Sequence, residues 1–144
     1  MNFKISTDTQ SELYDESIAI RSEVFIEEQK VDPSLEIDEL EDQTVHIVGY
    51  QDDLPVCTAR LLIKDKDTVK VQRVAVLSSH RKRGIGRKLL RFIEDSARDD
   101  LNASRLILDS QDHAISFYEK EGFSVQGEGF LDAGIPHHFM QKKI

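Results

Sequence analysis

The chain has 144 residues, of which 39% are hydrophobic and 32% charged, and its formal net charge is −8. This length predicts one domain, residues 1–144, that buries roughly two-thirds of its extended-chain surface. No apolar run approaches the ~20 residues of a membrane span, and the first residues lack the apolar segment of a signal peptide. A single cysteine, Cys57, excludes an intramolecular disulfide and predicts a cytoplasmic protein. The acidic balance argues against nucleic acid and favours a cationic substrate.

The spacing of apolar residues predicts an α/β order of elements along the chain. The predicted strands are 2–7, 45–50, 55–63, 68–76, 105–108, 123–126 and 138–142. The predicted helices are 8–28 with one break, 84–100 and 114–121. The second, third and fourth strands follow one another through short turns, which predicts an antiparallel meander.

The acidic segment (residues 31–42) lies between the first helix and the second strand and has two interpretations. One is a solvated loop, which is what a run of charge most often is. The other is a negative wall that recruits a cationic substrate through Glu36, Asp38 and Glu39, together with Glu28 from the end of the first helix. The residues alone leave both interpretations open.

The stretch from Arg81 to Arg91 carries six basic side chains and no acidic one. Gly84 and Gly86 stand in it where the long helix begins. Backbone N–H groups at a helix start lack intrahelical partners and favour an anion, and glycine lets the backbone approach that anion closely. The stretch therefore predicts a phosphate cradle. A strand, loop and helix with solvated basic side chains would show the same pattern.

Spacing separates three kinds of phosphate cradle. The P-loop pattern is absent from the sequence. The dinucleotide pattern Gly-x-Gly-x-x-Gly is weakened, because Leu89 stands in place of its third glycine, although Asp109 follows at a tolerable distance for its acidic residue. The third pattern, Arg/Gln-x-x-Gly-x-Gly/Ala, is met by Arg81, Gly84 and Gly86. With Arg-Val-Ala-Val just upstream, it resembles the acetyl-CoA-binding motif of the GNAT superfamily of N-acetyltransferases.

A second segment strengthens this resemblance. Residues 114–123, Ala-Ile-Ser-Phe-Tyr-Glu-Lys-Glu-Gly-Phe, resemble the second GNAT signature, and two signatures in the right order are more specific than either alone. Segments 24–29, 36–41 and 130–137 resemble a small bacterial branch, the YjcF-like and ElaA-like proteins. One departure is Asp109-Ser110-Gln111, where that branch often has Asn-Ala-Gln.

The resemblance implies a fold and a binding mode. The fold would be a single-domain α/β structure with a mostly antiparallel sheet of six or seven strands and about four helices. The sheet would splay open between the strands that end at Val76 and Leu108, and the pantetheine arm would pair there like an added strand. The residues implied to bind acetyl-CoA are Val74, Ala75, Val76, Arg81, Lys82, Arg83, Gly84, Ile85, Gly86 and Arg87.

The resemblance also makes Tyr118 a candidate catalytic acid. A tyrosine hydroxyl has an ordinary pKa near ~10, so it can stay protonated at neutral pH and donate to a departing CoA thiolate. An aromatic residue on a short helix is otherwise most often core. His137 is a candidate on the substrate side, and it would point away from His138 because neighbours on a strand alternate. The histidines show no ligand spacing, so no metal is predicted.

The predicted function is transfer of an acetyl group from acetyl-CoA to a primary amine, by direct attack in a ternary complex. The acceptor would be a cationic small molecule or peptide, with neither nucleic acid nor a membrane as partner; a homodimer is compatible with the resemblance. A non-catalytic acyl-CoA-binding or regulatory module is one alternative, and a nucleotide-binding oxidoreductase is another. Neither the acceptor nor the general base can be named from these residues.

Overall fold

The computed structural model describes residues 1–144, which form eight strands and four α-helices. The strands are β1 (Asn2–Ser6), β2 (Val45–Gln51), β3 (Leu54–Ile63), β4 (Thr68–Val76), β5 (Arg105–Gln111), β6 (Ser124–Val125), β7 (Phe130–Asp132) and β8 (Ile135–Lys143). The α-helices are α1 (Glu12–Arg21), α2 (Pro33–Glu36), α3 (Ile85–Asp99) and α4 (Ile115–Lys120). All strands belong to one sheet in the order β1-β2-β3-β4-β5-β8-β6, with β7 paired to β8.

One pair of neighbouring strands, β4 and β5, is parallel, and this pair opens the sheet. Their ladder runs from Thr68 opposite Arg105 to Val71 opposite Leu108 and ends there. Beyond it, β4 stays paired with β3 and β5 stays paired with β8. The two strands therefore diverge, and each keeps one unpaired edge inside the molecule, as the predicted splay requires.

A bulge at Arg73 bends β4 where the divergence begins. The backbone φ of Arg73 is +55°, and the register between β3 and β4 shifts at this level. A non-glycine residue keeps a positive φ only where its surroundings hold it there. Here α2 holds the side chain, because Arg73 Nε lies 3.1 Å from the carbonyl oxygen of Glu36 and 3.0 Å from its carboxylate. The bulge thus changes the direction of β4, and the Arg73 side chain that it positions anchors α2 to β4.

Helices cover the two faces of the sheet. On one face α3 buries Leu89, Ile93 and Ala97 completely, in a core that includes Ile47 of β2. The neighbouring residue Val48 points to the other face, where it packs with Ile20 and Val24 from α1 and the segment that follows. Since strand neighbours alternate, α1 and α3 lie on opposite sides of β2.

Several elements differ from the sequence prediction. The predicted helix 8–28 is α1 followed directly by a π-helical segment, Ser22–Glu28. The acidic segment contains α2 and a short 3₁₀ turn rather than an open loop. β7 was not predicted, because all three of its residues are exposed and give no alternation; it raises the strand count to eight. No helix of the protein is both long enough and apolar enough to cross a membrane.

Candidate active site

The divergence of β4 and β5 creates a cleft of about 920 Å³. One wall is the free edge of β4 with the turn after it, and the other is β5 with α4. The π-helical segment, α2 and the β7–β8 turn border the rest of the opening. Nine of the ten residues predicted to bind acetyl-CoA line this cleft: Val74, Ala75, Val76, Arg81, Lys82, Gly84, Ile85, Gly86 and Arg87. The tenth, Arg83, lies in the same turn with its side chain exposed.

The basic turn (Arg81–Arg87) presents a row of backbone donors to the cleft. Lys88 is the first residue whose N–H bonds into α3, to Gly84 O at 3.1 Å, and no N–H from Lys82 to Arg87 has an acceptor in the protein. Lys82 and Gly84 have φ of +62° and +75°, and such left-handed residues in alternation turn successive N–H groups to one side. The start of α3 adds the positive end of a helix dipole. This row suits a diphosphate without relying on particular side chains.

The residue type at Gly86 is set by packing as well as by the turn. A Cβ at this position would lie 3.1 Å from Cζ of Phe117 on α4, which is tighter than ordinary contact. The two sequence signatures that predicted the family therefore touch each other where α3 begins. The sequence shows both motifs but not their contact.

Arg81 ties the basic turn to two other elements. Its Nε donates to Val76 O at the end of β4 at 2.9 Å, and its Nη2 donates to Glu28 of the π-helical segment at 2.8 Å. Hydrogen bonding from Arg81 lowers the pKa of Glu28. The next residue, Gln29, accepts from Gln111 Nε2 of β5 at 2.8 Å. Two consecutive residues thus reach the opposite walls of the cleft, which no short-range pattern revealed.

Lys70 and Asp109 form an ion pair at 3.0 Å near the closed end of the cleft. Asp109 is the residue that departs from the branch pattern, which often has Asn. Its carboxylate is balanced by a lysine from the facing strand, so the departure does not leave an unpaired charge in the site. Lys70 was not singled out from the sequence.

Tyr118 lies at the wall formed by α4. Its ring packs edge-on against Phe117 and Phe123, with centroids 5.1 and 5.7 Å away, and the residue is only 8% exposed. The hydroxyl has no hydrogen-bond partner in the protein, yet it is not sealed off, and Tyr118 lines the cleft. Burial raises the pKa of Tyr118. The hydroxyl is therefore a protonated donor open to the cleft.

The acidic segment is held by arginines. A buried ion cluster comprises Arg21, Arg60, Arg73, Glu36, Asp38 and Glu41. The side chains of Arg21 and Arg60 are each 1% exposed, and three guanidinium groups face three carboxylates. The formal charge of the cluster is zero, and Glu36 is buried within it while Asp38 is half-buried, so the solvated-loop interpretation does not hold for Glu36. Sequence reasoning missed this cluster because its arginines come from α1, β3 and β4.

The four carboxylates predicted to attract a cation are dispersed by the fold. Glu28 and Glu36 border the cleft, the first paired with Arg81 and the second inside the buried ion cluster. Asp38 and Glu39 lie outside the cleft, at a shallow depression on another side of the acidic segment. The sequence put these residues together by proximity in the chain, and the turn at α2 separates them.

The adjacent histidines of β8 take opposite sides. His137 is 8% exposed, lines the cleft and stacks on Phe130 of β7. His138 faces away and pairs with Asp112 at 2.7 Å. Cys57 is fully buried in the core, and burial raises its pKa to about 12, so it is an inert thiol. The structure shows no group of three or more His, Cys, Asp or Glu side chains placed to hold a metal.

Comparison with known proteins identifies the family. The model of the acetyltransferase (GNAT) domain matches residues 8–144. The N-acetyltransferase YjcF of Bacillus subtilis is 45% identical over 124 residues, which cover 85% of this chain and 87% of YjcF. The crystal structure of a putative N-acetyltransferase from Lactobacillus plantarum superposes with a TM-score of 0.89 at 28% identity, over 99% of this chain and 97% of that one. Escherichia coli ElaA gives a TM-score of 0.85 at 25% identity, over 98% of both chains.

The match to the GNAT domain and the topology of the sheet both argue against the nucleotide-binding oxidoreductase interpretation. A dinucleotide-binding unit needs a doubly wound parallel sheet, and here only β4 and β5 run parallel. The splayed sheet, the basic turn and the second signature at α4 all occur in the order that the resemblance implied. The chain belongs to the GNAT family of acetyltransferases, alongside YjcF and ElaA.

Proposed function

We propose that this protein transfers the acetyl group of acetyl-CoA to a primary amine, by direct attack while both substrates are bound. The observation that carries the proposal is the row of six partnerless N–H groups, Lys82 to Arg87, at one end of a cleft whose β4 edge is also free. A GNAT family acetyltransferase from Elizabethkingia anophelis, which shares the fold with a TM-score of 0.75 at 17% identity over 99% of this chain and 97% of that one, has acetyl-CoA bound.

The free edge of β4 suits the arm of the acyl donor. From Val74 to Val76 the strand has a neighbour on the β3 side only, so its other backbone groups face the cleft. An extended chain of amides can add to such an edge by main-chain hydrogen bonds. The basic turn would then hold the diphosphate, and the side chains of Lys82 and Lys88 would matter little.

Tyr118 supplies the acid for this reaction. Acetyl-CoA contributes an activated acyl group, and the sulfur leaves more readily when a positioned donor protonates it. The Tyr118 hydroxyl can serve this step because it has no hydrogen-bond partner in the protein and belongs to a residue that lines the cleft, and it carries a proton at neutral pH. Direct transfer is supported by the burial of Cys57 in the core, away from the cleft, because the single thiol of the chain is then not placed to form an acyl-enzyme.

The experiment combines binding and turnover. The protein is titrated with CoA by calorimetry, then incubated with acetyl-CoA and n-butylamine, spermidine, an aminoglycoside or a lysine-bearing peptide, while free thiol is followed. Amine-dependent thiol release supports the proposal. Binding without thiol release for any amine would favour a non-catalytic acyl-CoA-binding module, and absence of CoA binding would overturn both interpretations.

A further inference from the structure

His137 occupies a fixed position on the acceptor side of the cleft. It stands on β8 in register with Gln111 of β5 and Phe130 of β7, so both of its neighbouring strands hold the backbone. Its ring stacks on Phe130 with centroids 5.9 Å apart and planes 20° from parallel. A ring held by two strands and an aromatic partner has little freedom to turn, and its two nitrogens keep distinct surroundings.

The hydrogen bonds of His137 determine which nitrogen is basic. Its Nδ1 lies 2.6 Å from the carbonyl oxygen of Ile135. A carbonyl oxygen only accepts, so Nδ1 carries the hydrogen and donates it. In the neutral ring Nε2 then holds a lone pair. Nε2 has no partner in the protein and is not sealed off, so this lone pair is available in the cleft.

Charged groups on β5, on β7 and in the turn after β5 belong to the elements that flank His137, and most of them are engaged elsewhere. Asp109 pairs with Lys70 and Asp112 with His138, while His113 bonds to Gln111. Asp132 of β7 is the exception: it lines the cleft two residues from Phe130 and pairs with no cation.

We propose that His137 is the general base of the acetyl transfer, an inference that rests on the proposed function. As the amine nitrogen bonds to the acyl carbon, it loses a proton to His137 Nε2, directly or through one water. The carbon–sulfur bond breaks with its electron pair going to sulfur, which takes the Tyr118 proton. The imidazolium then releases its proton to solvent and Tyr118 regains one, so the net products are the amide and free CoA thiol.

The neighbouring histidine provides a matched control. In His137→Gln, kcat/KM for whichever amine of the panel reacts fastest should fall by about 10²-fold or more, the lower end of what acid–base groups contribute. His138→Gln should stay within about threefold of the parent. CoA affinity by calorimetry and Tm should be unchanged in both variants.

The pH profile and chemical rescue separate a base from a structural residue. In the parent, kcat at saturating amine should fall on the acid side, because a general base acts only without its proton, and this acid limb should change in His137→Gln. Should the Gln variant lose stability, His137→Ala with added imidazole replaces it, and partial recovery of rate is expected. A His137 variant with parental rate and an unchanged acid limb would overturn the proposal.

A readout without turnover tests the same assignment. ¹⁵N NMR of the imidazole in the amine-free protein should show the tautomer with the hydrogen on Nδ1, and finding it on Nε2 would overturn the proposal. Failure of the proposed function looks different, since the parent itself would then bind CoA without releasing thiol for any amine.

Discussion

The basic turn and the acidic segment both border the cleft, but the groups that give each region its character are different. The basic turn offers backbone N–H groups, and its side chains are mostly exposed. The acidic segment is held mainly by arginine side chains, which bond to its carboxylates and to the carbonyl oxygen of Glu36, in the buried ion cluster that joins α1, α2, β3 and β4. A site made of backbone tolerates side-chain exchange, whereas a site made of buried charges fails when one partner is removed. Substitutions in the two regions should therefore have different consequences.

The largest effect on catalysis is expected at Tyr118, because its function depends on a single side-chain atom, the hydroxyl oxygen. Tyr118→Phe removes the hydroxyl and keeps the ring that packs on Phe117 and Phe123. We expect kcat to fall by about 10²–10⁴-fold with KM for acetyl-CoA nearly constant. Steady-state kinetics under conditions where chemistry limits the rate will test this, and a variant within about threefold of the parent would leave Tyr118 a core residue.

Removing one member of the buried ion cluster should cost stability. Arg21→Met leaves Glu36 and Glu41 with less compensation, and breaking a buried pair typically costs about 3–5 kcal/mol. Urea denaturation measures the loss. The matched control is Arg98→Met on the outer face of α3, where the pair with Glu94 is exposed and contributes about 0.5 kcal/mol or less. Equal losses in the two variants would contradict the assigned role of the cluster.

The same cluster should make the protein sensitive to acid. Burial by itself would raise the pKa of Glu41, but hydrogen bonds from Arg21 and nearby positive charges outweigh it and lower that pKa. A lowered folded-state pKa gives stability above the unfolded-state value, which is lost as pH falls through the folded-state value. Unfolding midpoints in urea should therefore fall below about pH 4. In Arg21→Met this acid dependence should be weaker, and a parental pH dependence would speak against the coupling.

At the basic turn, only changes that obstruct the backbone should matter. Gly86→Glu places a carboxylate at the N–H row, and we expect CoA affinity to fall by at least ~100-fold, the equivalent of losing about 3 kcal/mol of charge-assisted hydrogen bonding. Because a Cβ there also approaches Phe117, Gly86→Ala is the control for packing, with a smaller loss. Calorimetry with CoA measures both, and equal losses would assign the whole effect to packing.

The smallest effects on binding and catalysis are expected for exposed side chains of the basic turn and of the acidic segment. Lys82→Met should change CoA affinity by less than about threefold at physiological salt, since the Lys82 side chain is exposed and interactions between exposed charges more than about 8 Å apart are largely screened. Glu39→Gln, which leaves the buried ion cluster intact, tests whether the acidic segment steers a cationic amine: kcat/KM would then fall with this change and with added salt. The placement of Glu39 outside the cleft makes a rate flat in both the expected result.

Short-range sequence patterns were sufficient to predict many of the secondary-structure elements. The strand 68–76 and the helix that begins after Gly84 were predicted within a residue, because an apolar strand, a glycine-marked turn and an amphipathic helix are short-range features. The basic turn was predicted for the same reason. β7 was missed, since its residues are exposed and its turn depends on Ala133 and Gly134 at positive φ.

Most of the elements, the GNAT resemblance and the basic turn could be predicted from the sequence, because they depend on residues close together in the chain, whereas α2 and β7 could not. Tertiary structure alone decided which charges face each other. Arg21, Arg60 and Arg73 come from three separate elements to pair with three of the six carboxylates of the acidic segment, and the hydrogen bond to Ile135 selects the open nitrogen of His137. Charge compensation and tautomer choice depend on distances of a few ångströms between chain segments, which only the fold sets.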